Sequence, residues 1–389
     1  MTDIIPTAET TPLIDPPAHR GCPVPPDPES ALVAAVRAGP SGFGTSAVRL
    51  ARELMLAGDP GPAYLERPWG DGTAAPLYVP AVERVDDALA AEVDDRLVIW
   101  AKDCGFTDDQ ADLMRRAGFG RLAMLTHTDT DDADRLLIAA QLNAAWWAAD
   151  DLYADDSKMG ATPTELPPRL ALVMAAMDPV APAGEFSVPL DQALRSDPVL
   201  VALNSGIEHL TRHANPAQVQ RACYATFAMF VSWNSYAAWR FTGSYPPAWE
   251  YLAARQHDSF YTSMTLIDSV GGYELDANLY YEPRVRRALM QAGTASVMVN
   301  DLVSAAKDAA DDTPVCNMVL QIAADRQCSL EEAIAITVNL HNNLVRDFQA
   351  THRSLLPVPL PQLQRFLRGV RAWMGGGFEW HTTNPRYRS

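Results

Sequence analysis

This chain has little cysteine, no excess of positive charge and no long apolar run, and each absence excludes something. Its 389 residues hold five cysteines (Cys22, Cys104, Cys223, Cys316, Cys328), odd in number and scattered, with no CxxC or Cys/His ligand spacing. A disulfide framework or a structural zinc is therefore not expected, and a reducing cytoplasm fits. Net charge is −17, which argues against general nucleic-acid binding, since that needs basic surface. An anionic substrate would have to be held by local arginines or by metal rather than by the overall field. No apolar run approaches the roughly 18 residues of a membrane span, so a soluble, cytoplasmic protein is expected. The acidic start, Met1-Thr2-Asp3, does not read as a signal peptide. Strand-like alternation between turn signals is also nearly missing.

What is present falls into two parts. Residues 1–75 read as a disordered Pro-rich leader. Roughly half of the chain's 30 prolines fall before residue 81, and such a segment buries too little apolar surface to offset its ordering entropy. Residues 76–389 read as helix after helix: 86–101, starts at Thr107 and Asp132, then 135–149, 198–213, 216–241, 247–270, 284–309, 329–353 and 361–373. Pro198 follows Asp197, a proline at the first helical position after a capping aspartate. The expected fold is all-α, a bundle of about ten helices.

Acidic pairs recur, and their positions separate them. Asp108/Asp109 and Asp131/Asp132 open helices, where the dipole favours anions. Asp150 and Asp151 instead follow a long apolar helix, and Asp155 and Asp156 come just after. Crowded carboxylates at a helix C-terminus repel one another, and a bound cation relieves the repulsion; a solvated acidic loop is the plainer alternative. A second segment sharpens the choice. Asn300, Ser304 and Asp308 recur every four residues, so on a helix they share one face. A carbonyl, a hydroxyl and a carboxylate converging there suit Mg²⁺, which binds hard oxygens and substrate phosphates.

Between the two acidic segments, Arg255 sits in a helical stretch (Glu250 to Ser259) before Gly271-Gly272 breaks the pattern. It is either a surface residue or a bidentate oxyanion clamp. The tail ends in Arg386-Tyr387, which could donate to phosphate oxygens. Aromatics crowd 224–241: Phe227, Phe230, Trp233, Tyr236 and Trp239. Core packing is their ordinary role; lining a dry pocket with Trp146, their π faces would stabilise carbocations.

With these residues in view, the chain resembles the bacterial class I terpene synthases over about residues 80–389. The stretch at Asp150 is similar to that family's first metal motif. Asn300, Ser304 and Asp308 match the second, Arg255 the diphosphate-sensing arginine, Asp258 and Ser259 the linker and effector positions, and Arg386-Tyr387 the terminal pair. Within the family, the resemblance is greatest to the 2-methylisoborneol synthases. It is carried by Trp249-Glu250-Tyr251-Leu252-Ala253-Ala254-Arg255-Gln256, Val270-Gly271-Gly272-Tyr273-Glu274-Leu275, Phe366-Leu367-Arg368-Gly369-Val370 and Trp380-His381 before Thr383-Asn384. Three departures stand out: Asp308 for the usual glutamate, Asp155 for a common glutamate, and an altered segment at 258–263.

The resemblance implies three Mg²⁺ ions held by Asp150, Asp151, Asp155, Asn300, Ser304 and Asp308, with Asp151 alternatively pairing with Arg386. It assigns Arg255, Lys307, Arg386 and Tyr387 to the diphosphate. The implied substrate is 2-methylgeranyl diphosphate, supplied by a geranyl diphosphate C-methyltransferase and cyclised to 2-methylisoborneol or a methylated olefin. An encapsulin shell loaded through residues 38–45 and a homodimer are further expectations. Two other readings stay open: a cyclase of unmethylated geranyl or farnesyl diphosphate, and a non-catalytic helical protein.

Overall fold

The computed structural model describes residues 64–69, 75–154, 162–258, 260–310 and 316–384. Helices dominate it, and the all-α expectation holds apart from one small antiparallel ribbon. In that ribbon β1 (Tyr64–Arg67) pairs with β2 (Leu77–Pro80), Tyr64 opposite Pro80 and Arg67 opposite Leu77. β1 lies inside the segment, 1–75, read above as a disordered leader. The leader before Tyr64, with residues 38–45, lies outside the described residues.

The helices begin with α1 (Asp87–Asp103), α2 (Asp108–Ala117), α3 (Phe119–Thr126) and α4 (Ala133–Ala149). A π-helical turn, Asp150–Ala154, continues α4. Next come α5 (Leu166–Met177), α6 (Ser187–Ser196), α7 (Pro198–His213) and α8 (Pro216–Thr242). Four short helices follow: α9 (Ala248–Arg255), α10 (Phe260–Met264), α11 (Ile267–Val270) and α12 (Ala277–Tyr280). The chain closes with α13 (Pro283–Ala309), α14 (Met318–Arg326), α15 (Leu330–Leu355) and α16 (Pro361–Thr383). Among the described residues no helix is long and apolar enough to cross a membrane.

Helix starts follow the local chemistry read from sequence. The Asp197 carboxylate accepts from the Val199 N–H at 2.9 Å ahead of Pro198. Asn215 and Gln218 cap one another at 2.9 and 3.0 Å ahead of Pro216, a reciprocal arrangement that satisfies two donors at once. Thr107 caps α2, and Asp132 caps α4 by accepting from the Asp134 N–H at 2.9 Å. The acidic pairs at 108/109 and 131/132 are thus helix openers.

Two expected helices change. The span 247–270 is not one helix but three, because its polar side chains find better partners than the ladder offers. Asp258 turns inward to Arg255, and the Thr265 hydroxyl donates to the Thr262 carbonyl at 2.6 Å. Gly272, at φ +72°, then adopts the left-handed turn that the glycine pair promised. The helix expected over 361–373 instead runs to Thr383, straight through Gly375-Gly376-Gly377. Built on Gly376, a Cβ would stand 2.4 Å from the Leu125 carbonyl oxygen, and on Gly375, 2.8 Å from that of Pro80. The glycines let α16 press onto neighbouring backbone instead of ending it.

α4 and α13 are central. Nearly every residue of α4 is buried, and α13 packs along α15 and beneath α16. The buried faces of both helices are apolar, and both helices end at the same place.

Candidate active site

The C-terminal ends of α4 and α13 meet at a cavity of about 310 Å³. Unpaired carbonyls give helix C-termini partial negative charge, which favours cations. Asp150 enters from the π-helical turn after α4; Asn300, Ser304, Lys307 and Asp308 enter from the last turns of α13. Such π turns recur at functional sites, where the extra residue re-aims side chains. This one is tied down from two sides. The Tyr153 hydroxyl donates to the Asp197 carboxylate, and Arg240 Nη1 donates to the Ala154 carbonyl at 3.1 Å.

Arg255, at the end of α9, is nearly buried yet reaches the cavity wall. Its Nε and Nη2 donate to Asp301 Oδ1 at 3.1 and 2.6 Å. Nη1 donates to Asp258 Oδ2 at 2.5 Å, and Nη2 also to Asn300 Oδ1 at 2.9 Å. Burial opposes the charge, but Asp301, Tyr251 and Asp258 hold this guanidinium well above the ordinary arginine pKa. Arg255 is therefore no loose surface residue. It is a fixed cation joining α9, the turn at Asp258 and the motif face of α13.

The α13 motif is preassembled. The Ser304 hydroxyl donates to Asp308 Oδ2 at 2.7 Å. Asn317, wholly buried, donates from Nδ2 to Ser304 Oγ at 3.1 Å, Asp308 Oδ2 at 2.9 Å and the Asp301 carbonyl at 2.8 Å. Its Oδ1 caps α14 by accepting from the Val319 N–H at 2.9 Å. The Asn300 amide is oriented from both sides: its oxygen faces Arg255 and its nitrogen stands 3.4 Å from His381 Nε2. Burial drives the His381 pKa down to about 4. The neutral ring donates from Nδ1 to the Gly377 carbonyl at 2.7 Å, leaving Nε2 to accept from Asn300.

These donors fit Mg²⁺. Carboxylate, amide and hydroxyl oxygens from two helices face one cavity, with no thiol or imidazole among the expected ligands. Aromatic rings make up much of the remaining wall, Phe119, Trp146, Trp147, Trp233, Tyr236, Phe260 and Trp380, together with Met229 and Leu122 and the polar Asn143, Arg240 and Ser263.

Of the sequence-predicted residues, Asp150, Arg255, Asn300, Ser304, Lys307 and Asp308 line the cavity, as do Trp146, Trp233 and Tyr236. Asp151 is on the same π turn but not in the wall. Phe227 and Phe230 are not among the lining residues: Phe230 is buried with its ring 5.3 Å from that of Trp233, and half-buried Phe227 stands beside it at 6.3 Å. Asp155, Ser259, Arg386 and Tyr387 lie outside the described residues. Reading the sequence missed Asp301 and Asn317. Asp301 adjoins Asn300, and a helical step of about 100° turns it inward. Asn317, followed by Met-Val-Leu-Gln, carries a helix-cap signal, but nothing in its spacing announces its reach across to α13.

Residues 141–347 match the family described as terpene synthase family 2, C-terminal metal binding. The chain is 35% identical over 353 residues to the 2-methylisoborneol synthase of Streptomyces ambofaciens, covering 89% of this chain and 79% of that one. It is 26% identical to the (+)-T-muurolol synthase of Streptomyces clavuligerus, a farnesyl diphosphate cyclase, over 80% of this chain and 73% of that one. The crystal structure of 2-methylisoborneol synthase from Streptomyces coelicolor A3(2), in complex with Mg²⁺ and 2-fluoroneryl diphosphate, superimposes with a TM-score of 0.77. The two are 34% identical, over 82% of this chain and 98% of that one.

Proposed function

The chain belongs to the terpene synthase family, and from that premise we propose that it is a Mg²⁺-dependent cyclase of 2-methylgeranyl diphosphate. The product would be 2-methylisoborneol or a related methylated bicyclic monoterpenoid, with release of diphosphate. The observation that carries this reading is the single cavity with Asp150 on one side, Asn300, Ser304 and Asp308 on the other, and an aromatic wall between them. The likeness to 2-methylisoborneol synthases supports the choice of substrate.

Asp150, with Asp151 and Asp155, would hold metal from the α4 side, and Asn300, Ser304 and Asp308 from the α13 side. When bound, Mg²⁺ (three ions in this reading) neutralises the charge that builds on the departing diphosphate. Arg255, Lys307, Arg386 and Tyr387 donate to the diphosphate oxygens and orient the allylic C–O bond. That bond breaks heterolytically, its electron pair leaving with diphosphate. Because Arg255 already grips Asp301, Asp258 and Asn300, it stabilises the developing charge with little reorganisation. The rings of Trp146, Trp233 and Tyr236 turn π faces to the cation. Packed aromatics exclude bulk water until the final capture, which by water gives an alcohol and by proton loss an olefin.

The test is gas chromatography–mass spectrometry of products from geranyl, 2-methylgeranyl and farnesyl diphosphates with purified protein and Mg²⁺. A methylated bicyclic product from 2-methylgeranyl diphosphate alone is expected. Turnover of an unmethylated substrate instead would overturn the substrate assignment and keep the reaction class. This substrate requires a partner that C-methylates geranyl diphosphate. The same reading takes the Pro-rich segment, 1–75 in the sequence analysis, as a leader, with 38–45 as a loading tag for an encapsulin shell, and the cyclase as a homodimer.

A further inference from the structure

A second cluster of ligating side chains lies at the opposite end of α4. Asp134, in its first turn, faces His209 and His213, one turn apart in the last stretch of α7. Sixteen helical steps, about 24 Å at 1.5 Å each, separate Asp134 from Asp150 along the chain. None of the three residues lines the diphosphate cavity.

Three observations make this more than a helix-end ion pair. First, Asp134 Oδ2 stands 3.4 Å from His209 Nε2 and 3.3 Å from His213 Nε2. Those separations are long for charge-assisted hydrogen bonds. They match the roughly 3.3 Å between two ligands that each lie about 2.0–2.1 Å from a tetrahedral ion. Second, His209 is oriented from behind. Its Nδ1 stands 2.7 Å from the oxygen of buried Gln141 and donates to it. With Nδ1 turned to Gln141, Nε2 is the nitrogen left to face the Asp134 carboxylate, a placement in which a shared cation would join the two. A metal-binding histidine is held in the same way by a group behind its other nitrogen. Third, access is graded: the His209 side chain is 5% exposed, His213 23% and Asp134 50%. One side is thus open for an ion to enter and for a water to complete the coordination. The nearby cations Arg96 and Arg212 oppose metal, and the Asp134 carboxylate offsets them in part.

We propose that Asp134, His209 and His213 form a second metal site, which takes a borderline divalent transition ion, Zn²⁺ foremost, and staples the start of α4 to the end of α7. Two imidazoles and one carboxylate suit zinc and not magnesium. The sequence-based expectation of no structural zinc looked for cysteine spacings and passed over the His-x₃-His pair. The site is independent of the cyclase reading.

The test uses the full chain, stripped by chelator and then supplied with excess Mg²⁺ and inorganic diphosphate to fill the acidic cavity. Zn²⁺ is titrated while metal content and melting temperature are followed. One Zn²⁺ per chain at micromolar concentration is expected, with a rise in melting temperature. His213→Ala and Asp134→Asn, both at least partly exposed, should lose uptake and shift while keeping the helical circular dichroism spectrum. Unchanged Zn²⁺ uptake in these two folded variants would overturn the assignment, as would no uptake by the unaltered chain. Co²⁺ in place of Zn²⁺ should give the visible absorption of a tetrahedral site in the unaltered chain and none in Asp134→Asn.

Discussion

Asn317 bears more on the acidic cavity than its place in the sequence suggests. One buried amide caps α14 and grips Ser304, Asp308 and the Asp301 carbonyl. Removing it strands the buried Asp301 carbonyl and a helix cap together, a cost of about 2 kcal/mol or more. Asn317→Ala should therefore lower the melting temperature. Asn317→Ser keeps a capping oxygen but loses the Nδ2 donor, so its melting temperature should fall less than that of Asn317→Ala while its half-saturating Mg²⁺ rises about tenfold, a cost of ~1.4 kcal/mol. An unchanged Mg²⁺ dependence in a folded Asn317→Ser protein would remove Asn317 from the positioning of the motif. The same bonds bear on Asp308. Its carboxylate accepts from Ser304 and Asn317, and Asp308→Glu lengthens the arm that carries it. Activity at or above the starting level is expected; a folded, inactive variant would show that the site has adapted to the shorter arm.

Among the elements, those with strong local signals were readable and those shaped by contact with the rest of the molecule were not. α7 starts and ends where the sequence placed it, because Asp197, Pro198 and an apolar stripe agree. α9 to α11 were read as one helix because periodicity cannot show that Asp258 leaves the ladder for Arg255 and Tyr236. α16 was ended ten residues early because glycine lowers helix propensity, whereas here it serves a close approach that only the assembled bundle reveals. That approach is testable. Gly376→Ala forces a methyl against the Leu125 carbonyl, and overpacking of this kind costs roughly 1–3 kcal/mol. Because α16 also carries Trp380 in the cavity wall and His381 beside Asn300, the variant should lose catalytic efficiency as well as melting temperature. A substitution that melts normally and turns over normally would mean that α16 shifts freely, contrary to its packing. The acidic motifs were legible because their residue types are unusual for helix C-termini. Their supports, Asp301 and Asn317, look ordinary in sequence and take their importance from what lies across the cavity.

For the whole molecule, the net charge of −17 invites the expectation that acid, by neutralising carboxylates, would relieve self-repulsion and stabilise the fold. Buried groups remote from the cavity argue the reverse. Burial pushes His127 down to about 3 and His341 down to about 4, so both are neutral in the folded chain and must charge when it unfolds. Their contribution is complete above the unfolded histidine pKa near 6.5 and is lost as pH falls toward the folded values. Asp94 works the other way. Burial raises it to about 6, so the folded chain retains a proton that the unfolded chain releases, and its contribution fades as pH rises through 6. Near pH 5, two histidines against one aspartate leave about one proton taken up on unfolding, a slope of ~1.4 kcal/mol per pH unit in favour of the higher pH. Denaturant melts at fixed ionic strength should therefore show stability falling from pH 6 to pH 4.5. His341→Gln should flatten the slope, since glutamine does not titrate in this window. A stability that holds level or climbs on acidification would mean that relief of surface repulsion outweighs the buried histidines.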